Sequence, residues 1–283
     1  MMKTGMFTVL VLSSVCSMAY SAMDLTTWMK VDRYNRWSFS NPTPESVRMD
    51  ETAASHTVAP GWVVSDFLAE PTSTVSIMIT MLGDNGDDDF VGLIFGYQDA
   101  DHFYLLDWKK GNQNFDWGDP VTVNDDLAER GIKVKKIDGA WTRDGLWGGT
   151  DGLGVSTLAG PIGGGWNFNS QYTFTLKLSP GRIMIYKEGG LLFDIADATF
   201  TGGRIGVYGF SQDNLLFSNV TVTPDPRDCV VNLEDFAAFA QRWLLAGQFI
   251  PGDFDDSKLV DTADLLHLAS YWLQPCPVGW PLK

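Results

Sequence analysis

The residues best suited to chemistry in this chain lie in an acidic loop near its C-terminus, residues 253–264. Oxygen ligands stand at positions 1, 3, 5, 7, 9 and 12 of this loop, position 7 through a backbone carbonyl: Asp253, Asp255, Ser257, Leu259, Asp261 and Asp264. The alternation turns successive oxygens towards one point as the chain bends, and calcium prefers hard oxygen ligands. The spacing therefore predicts a calcium loop that opens a helix. For Asp261 the alternative role is capping that helix, which needs no metal.

A weaker copy of this loop lies twenty-nine positions earlier. Five residues recur at that interval, so that Val231, Asn232, Asp235, Trp243 and Leu244 correspond to Val260, Asp261, Asp264, Trp272 and Leu273. The first copy has Pro224 and Pro226 where the second has its first two aspartates. Proline offers no side-chain oxygen, so we expect calcium in the second loop only.

Catalysis is not predicted. The chain has no paired-carboxylate strand motif of a glycosidase, no nucleophile elbow and no metalloprotease helix, and its three histidines are isolated in sequence. Exposed tryptophans could instead stack on the apolar faces of sugars. Trp117 and Trp141 stand in surroundings rich in Gly and Asp, so we propose them as a possible glycan platform. Burial in a core is the alternative for each.

Composition and the N-terminus indicate an exported protein. The net charge of −15 over 283 residues disfavours nucleic-acid partners, which require a basic footprint. Residues 1–22 have Lys3, an apolar stretch and small residues near Ser21 and Ala22, as in a cleaved secretory signal peptide. Outside that segment Cys229 and Cys276 are the two cysteines, and an even pair in an exported chain predicts a disulfide.

Two domains are predicted, the first mainly β. From residue 24 to 223 apolar residues alternate with polar ones, as in 75–81 and 172–178, with glycine-rich turns between them. This pattern favours an antiparallel sandwich or jelly roll. After the Pro224–Pro226 linker, residues 224–276 show two short helical patterns, and 277–283 form a tail. We expect the two helices to pack as a pair through two apolar stripes: Leu233, Phe236, Ala237, Ala240, Trp243 and Leu244, and Leu265, Leu268, Ala269, Trp272 and Leu273.

A β-hairpin with an acidic rim is predicted over residues 86–110. Asp87, Asp88 and Asp89 lead into an apolar run, and a polar turn at 98–102 reverses the chain into a second run ending in Trp108. Three successive side chains are not expected to point at one ion. The alternative role for these acids is to protect a strand edge from aggregation, which needs no metal.

The hairpin sequence, DDDFVGLIFGYQDADHFYLLDWKK, resembles the C-terminal, L-type-lectin-like domain of thrombospondins. Further stretches follow in the same order, among them GGRIGV at 202–207 and FSQDN at 210–214, and the resemblance spans about residues 62–222. It implies a concanavalin A-like jelly roll with calcium at a loop edge. Asp87, Asp88 and Asp89 are the metal ligands that it suggests.

Residues 224–274 are similar to a degenerate type I dockerin. Lys258 stands where an EF-hand has glycine, and Asp264 replaces its usual glutamate; dockerin loops share both features. The two resemblances together imply a secreted, non-catalytic, calcium-dependent adhesion or recognition protein. Its sandwich would bind a glycan or protein, and its tail would dock to a cohesin-like partner. The alternative is a carbohydrate-binding accessory protein of a polysaccharide-degrading assembly.

Overall fold

The computed structural model describes residues 22–51, 58–83, 86–117, 126–148, 154–223, 231, 233–247, 250–255, 257–274 and 282. The first strands in chain order are β1 (Met29–Val31), β2 (Trp37–Ser40), β3 (Ser46–Glu51), β4 (Pro60–Val64), β5 (Ser73–Met81), β6 (Phe90–Asp99), β7 (His102–Lys109), β8 (Gln113–Phe115), β9 (Asp126–Ala128) and β10 (Gly131–Asp138). Then follow α1 (Arg143–Gly148), β11 (Val155–Ile162), β12 (Ser170–Ser179), β13 (Arg182–Lys187), β14 (Gly190–Ile195), β15 (Arg204–Phe210), β16 (Leu215–Thr223), α2 (Leu233–Ala240) and α3 (Thr262–Ser270).

Two seven-stranded antiparallel sheets form the sandwich, which confirms the predicted mainly β fold class. Sheet A has the order β1-β4-β15-β6-β7-β10-β11, and sheet B has the order β14-β13-β12-β5-β16-β3-β2. In β5 the residues alternate between buried and half-buried along the whole strand, as the period-two pattern predicts. The buried set, which includes Val75, Ile77 and Ile79, lies in the inner cluster between the sheets together with Phe174 and Leu176 of β12.

Strands β6 and β7 are the predicted hairpin, and they are buried on both faces. One face of β6, including Leu93 and Phe95, belongs to the inner cluster. The other face, including Phe90 and Ile94, belongs to an outer cluster that covers the far side of sheet A. Helix α1 contributes Leu146 and Trp147 to this outer cluster, so a short helical cover closes that side of the sheet.

The helical module has a smaller core than the sequence stripes predict. Its buried apolar residues are Val231, Phe239, Val260, Leu268 and Leu282. Leu282 lies beyond the predicted boundary at 276, so a residue assigned to the tail is part of this core. The two halves pair reciprocally: the Leu244 amide donates to the Val260 carbonyl (2.9 Å), and the Leu273 amide donates to the Val231 carbonyl (2.8 Å).

The prediction that the two apolar stripes pack against each other is wrong for most of their members. Leu233 is 72% exposed, Leu244 63% and Leu273 69%. For the Trp-Leu pairs the reason is that α2 ends at Ala240 and α3 at Ser270, so both pairs lie beyond the helices and not on a helical face. Leu244 and Leu273 have left-handed backbone, with φ of 61° and 59°.

Among the residues described, no helix has the length and apolar character needed to cross a membrane.

Candidate calcium sites

The C-terminal acidic loop brings three of its predicted ligands together. One carboxylate oxygen each from Asp253, Asp255 and Asp264 lies within 4.8 Å of the other two. No described Lys or Arg forms an ion pair with any of the three. Three anionic groups at this separation repel one another, and a divalent cation with oxygen ligands relieves that repulsion.

Backbone donors fix the shape of this loop. The amide of Lys258 donates to Asp253 Oδ2 (2.8 Å), and the amide of Ser257 donates to Asp253 Oδ1 (3.0 Å) and Asp255 Oδ1 (3.1 Å). The side chain of Ser257, followed by its backbone amide, lowers the pKa of Asp255 by hydrogen bonding to it. Lys258, at the position where an EF-hand has glycine, has a left-handed φ of 72°.

Asp264 and Asp261 have different roles at the start of α3. Asp264 is fully buried and accepts from the amides of Phe254 (2.6 Å) and Asp261 (2.9 Å). Asp261 accepts from the Ala263 amide (2.8 Å) and is the N-cap, which is the role the sequence left open for it. The Ser257 hydroxyl donates to the Leu259 carbonyl (3.1 Å), which places both predicted oxygens side by side. The donor set of carboxylates, hydroxyl and carbonyl suits calcium.

The acidic rim at residues 87–89 also converges. One oxygen each of Asp87, Asp88 and Asp89 lies within 4.8 Å of the other two, although three successive side chains were not expected to meet. A fully buried ammonium group already occupies one side of this cluster. Lys109 Nζ donates to Asp89 Oδ1 (2.7 Å), to the Asp88 carbonyl (2.8 Å) and to Gln113 Oε1 (2.6 Å).

Lys109 neutralises only part of the negative charge of the rim. Burial, followed by the charge of Asp89, raises the pKa of Asp87 to about 7. Burial also raises the pKa of Asp89, against the opposing effect of Lys109. Glu51, at the end of β3, joins this group: burial raises its pKa to about 7, a hydrogen bond with Ser211 opposes the rise, and the charges of Asp89 and Asp87 add to it. Sequence reasoning missed Glu51 because only the pairing of distant strands brings it here.

The two residues of the proposed glycan platform differ in their burial. Trp141 is only 8% exposed, packs against Trp62 at 6.0 Å between ring centroids, and donates from Nε1 to the Ala100 carbonyl (2.8 Å). The expectation that its ring is exposed is wrong, because the outer cluster encloses it. Trp117 is half-buried, against Phe115 at 4.5 Å and Trp147 at 6.0 Å.

Several predictions concern residues outside those described. They are the signal peptide apart from Ala22, the Pro224–Pro226 linker, Asn232 of the first loop copy, and both cysteines. The Cys229–Cys276 disulfide therefore stays a prediction. Asp235, the acid of the first copy that matches Asp264, is fully buried as Asp264 is.

Comparison with known proteins places the sandwich in a family. Residues 55–225 match the model of the thrombospondin C-terminal region. Thrombospondin-3b of Danio rerio is 36% identical over 148 residues, which cover 47% of this chain and 16% of that protein. Cartilage oligomeric matrix protein of Homo sapiens is 33% identical over 148 residues, which cover 47% of this chain and 19% of that protein.

Solved structures show weaker likeness. The carbohydrate binding module CBM66 from Bacillus subtilis is 19% identical, with a TM-score of 0.46 over 71% of this chain and 97% of that one. The exoplasmic/lumenal domain of VIP36, in its Ca²⁺/Man-bound form, is 14% identical, with a TM-score of 0.46 over 69% of this chain and 82% of that one.

The fold and the rim define an antiparallel β-sandwich with an acidic edge. The chain belongs to the thrombospondin C-terminal region family. It spans less than a fifth of the length of these curated relatives.

Proposed function

We propose that this chain is a secreted, non-catalytic, calcium-dependent adhesion or recognition protein. The observation that carries the proposal is the convergence of Asp253, Asp255 and Asp264, whose carboxylate oxygens lie within 4.8 Å of one another with no described basic partner. Membership of the thrombospondin C-terminal region family supports an adhesive role for the sandwich.

The recognition surface that we propose is the acidic rim at residues 87–89 with Glu51. Burial, with a further contribution from the charges of neighbouring acids, raises the pKa of Asp87 and of Glu51 to about 7. A bound cation would stabilise the charged form of both groups. A cation held at a loop edge can ligate hydroxyl or carboxylate oxygens of a glycan or of a protein side chain. Binding through the rim would then depend on calcium.

A glycan array tests this surface. The full chain is applied in calcium and again in chelator, and we expect binding only in calcium. Asp87→Asn should weaken that binding at least tenfold, because it removes a rim oxygen. Asp194→Asn is the matched control, since Asp194 is an acid of β14 paired with Arg182 and lies outside the rim. Equal binding by the Asp87→Asn variant, or binding that ignores chelator, would reject the rim as the recognition surface.

The helical module is proposed to dock to a cohesin-like partner protein. Eight of the thirteen exposed large apolar side chains among the described residues belong to it: Leu233, Phe236, Trp243, Leu244, Leu245, Leu266, Trp272 and Leu273. That density is typical of interaction surfaces. The same docking serves the alternative function, in which the chain is an accessory of a polysaccharide-degrading assembly.

Substitution in the two exposed Trp-Leu pairs tests the docking. We expect the Leu244→Asp, Leu273→Asp double variant to lose binding to a cohesin-like protein by at least tenfold. Aspartate tolerates the left-handed backbone of both positions, so the fold should persist. Leu191→Asp changes an exposed leucine of β14 and is the matched control. Unchanged affinity of the double variant would exclude these pairs from the interface.

A further inference from the structure

A buried lysine and aspartate on sheet A belong to neither proposed binding site. Lys135 of β10 and Asp107 of β7 form an ion pair, and their side chains are 0% and 1% exposed. Their strands are adjacent and antiparallel, with Lys133 directly opposite Asp107, so Lys135 reaches Asp107 along the diagonal. The two side chains are therefore held together by the sheet itself.

The cover over this pair excludes water and orients the amine. Lys135 Nζ also donates to the carbonyl of Leu146 in α1, and it lies 5.3 Å from the centroid of the Phe90 ring. Leu146 and Trp147 are fully buried above it. The amine is thus fixed by one backbone carbonyl while its remaining side faces the aspartate.

The carboxyl group is poorly supported as an anion. Asp107 Oδ1 has no hydrogen-bond partner among the described residues, and neither has the hydroxyl of Tyr208 on the same face. In sheet A, Gly92 of β6 lies between its two register partners, Tyr208 of β15 and Asp107 of β7. The Tyr208 ring lies over that glycine. A buried carboxylate with one unsatisfied oxygen is costly, so conversion to a neutral group is favoured.

The pKa shifts of the two side chains also favour their neutral forms. Burial raises the pKa of Asp107, against the charges of Lys135, Lys133 and Lys109. Burial lowers the pKa of Lys135, against the charge of Asp107. Both shifts favour transfer of the proton from the ammonium to the carboxylate. A neutral amine is a nucleophile, and a protonated carboxyl group has a hydroxyl that can leave as water.

We propose that Lys135 and Asp107 condense into an amide cross-link between β10 and β7. The lone pair of Nζ attacks Cγ of the protonated Asp107 carboxyl group and forms the N–C bond. One of the two Nζ protons passes to the carboxyl hydroxyl, the C–O bond breaks, and one water molecule leaves. The product is a neutral amide that retains the other Nζ proton and one carboxyl oxygen. No oxidant, reductant or co-reactant enters the step.

Mass spectrometry of the full chain tests the cross-link directly. The reduced and denatured protein should weigh less than its sequence mass by one water molecule, and proteolysis should release a branched peptide joining the segments around Asp107 and Lys135. Lys135→Arg keeps the positive charge but should show the full mass. Asp107→Asn should lose ammonia instead and reach the same product mass as the wild type.

Lys136→Arg is the matched control, since Lys136 is the neighbouring lysine and pairs with Asp197. It should keep the cross-link. A wild-type chain of full sequence mass with no branched peptide would overturn the proposal, whatever the variants show. A mass deficit that persists in Lys135→Arg would also overturn it, because the bond would then lie elsewhere.

Discussion

Gly92 shows how a single residue constrains sheet A. A Cβ at this position would overlap the carbonyl oxygen of Leu106 and would lie 3.1 Å from Cδ1 of Tyr208. Neither neighbour can withdraw, because one is backbone of a central strand and the other is a fully buried ring. Glycine inside a strand is typical of a close approach by a neighbour, and the structure identifies that neighbour here as the Leu106 carbonyl and the Tyr208 ring.

Gly92→Ala should therefore lower the free energy of unfolding by about 2–3 kcal/mol, through overpacking. Chemical denaturation of the full chain measures this loss. Gly190→Ala is the control, because a Cβ there meets only the Lys187 carbonyl at 3.5 Å, and we expect a change within about 0.5 kcal/mol. Equal stability of the two variants would contradict the packing described around Gly92.

Lys109 is the residue that holds the acidic rim together in the absence of metal. Its side chain is fully buried and donates to both Asp88 and Asp89. Lys109→Met should lower the free energy of unfolding in chelator by about 3–5 kcal/mol, because it leaves Asp89 buried without its counter-charge. Lys30→Met, at an exposed position in β1, should change stability little. Comparable denaturation midpoints for the two variants would show that Lys109 does not neutralise the rim.

Spacing along the chain predicted the convergence of the C-terminal acids, whereas it could not identify partners from distant strands. Asp253, Asp255 and Asp264 lie within one local loop, so their separation in sequence fixes their separation in space. Glu51 and Trp141 depend instead on strand pairing and on the outer cluster, which no local pattern records.

At the scale of elements, one carboxylate helps to fasten the segment between β14 and β15 to sheet A. Asp197 accepts from the Tyr104 hydroxyl, from Lys136 Nζ (3.0 Å) and from the Thr199 amide (2.8 Å). Burial alone would raise the pKa of Asp197, but the hydrogen bonds from Tyr104, Thr199 and Lys136 outweigh it and lower that pKa. The segment is thereby tied to β7 and β10.

Asp197→Asn should lower the free energy of unfolding at neutral pH by about 1–2 kcal/mol, since it weakens charge-assisted hydrogen bonds at a partly exposed site. Because the folded-state pKa is below the unfolded one, the contribution of Asp197 is present above about pH 4 and is lost as the pH falls below that value. Stability curves of wild type and variant should therefore converge in acid. Curves that stay parallel below pH 4 would contradict this assignment.

The sandwich was easier to predict than the helical module, because the strands keep a regular burial pattern whereas the helices end earlier than their apolar stripes. A period of two persists along whole strands such as β5, so the buried face follows directly from sequence. The helical stripes were extended through Trp243 and Trp272, but both lie in turns beyond α2 and α3. Phe239, which the stripes omit, is a buried apolar residue of α2.

At the scale of the whole molecule, the chain combines a β-sandwich of the thrombospondin C-terminal region family with a helical module that carries a second acidic cluster. The net charge of the chain is −15, and the described basic residues do not fully neutralise the carboxylates of either cluster. Divalent cations would lower that repulsion in both parts. Calcium is thus the single condition on which both proposed binding activities depend.

Calcium titration of the full chain, followed by calorimetry and by thermal unfolding, tests this claim most directly. Asp255→Asn is the sharpest variant, because Asp255 is exposed and bonds mainly to Ser257, whereas Asp264 is buried and supports the start of α3. Asp194→Asn is the control. We predict binding at the loop and a calcium-dependent rise in melting temperature, worth about 2.7 kcal/mol at a hundredfold excess over Kd. Asp255→Asn should lose the loop's share of this rise and keep the share that calcium at the rim contributes; equal melting of the wild type with and without calcium would contradict the account.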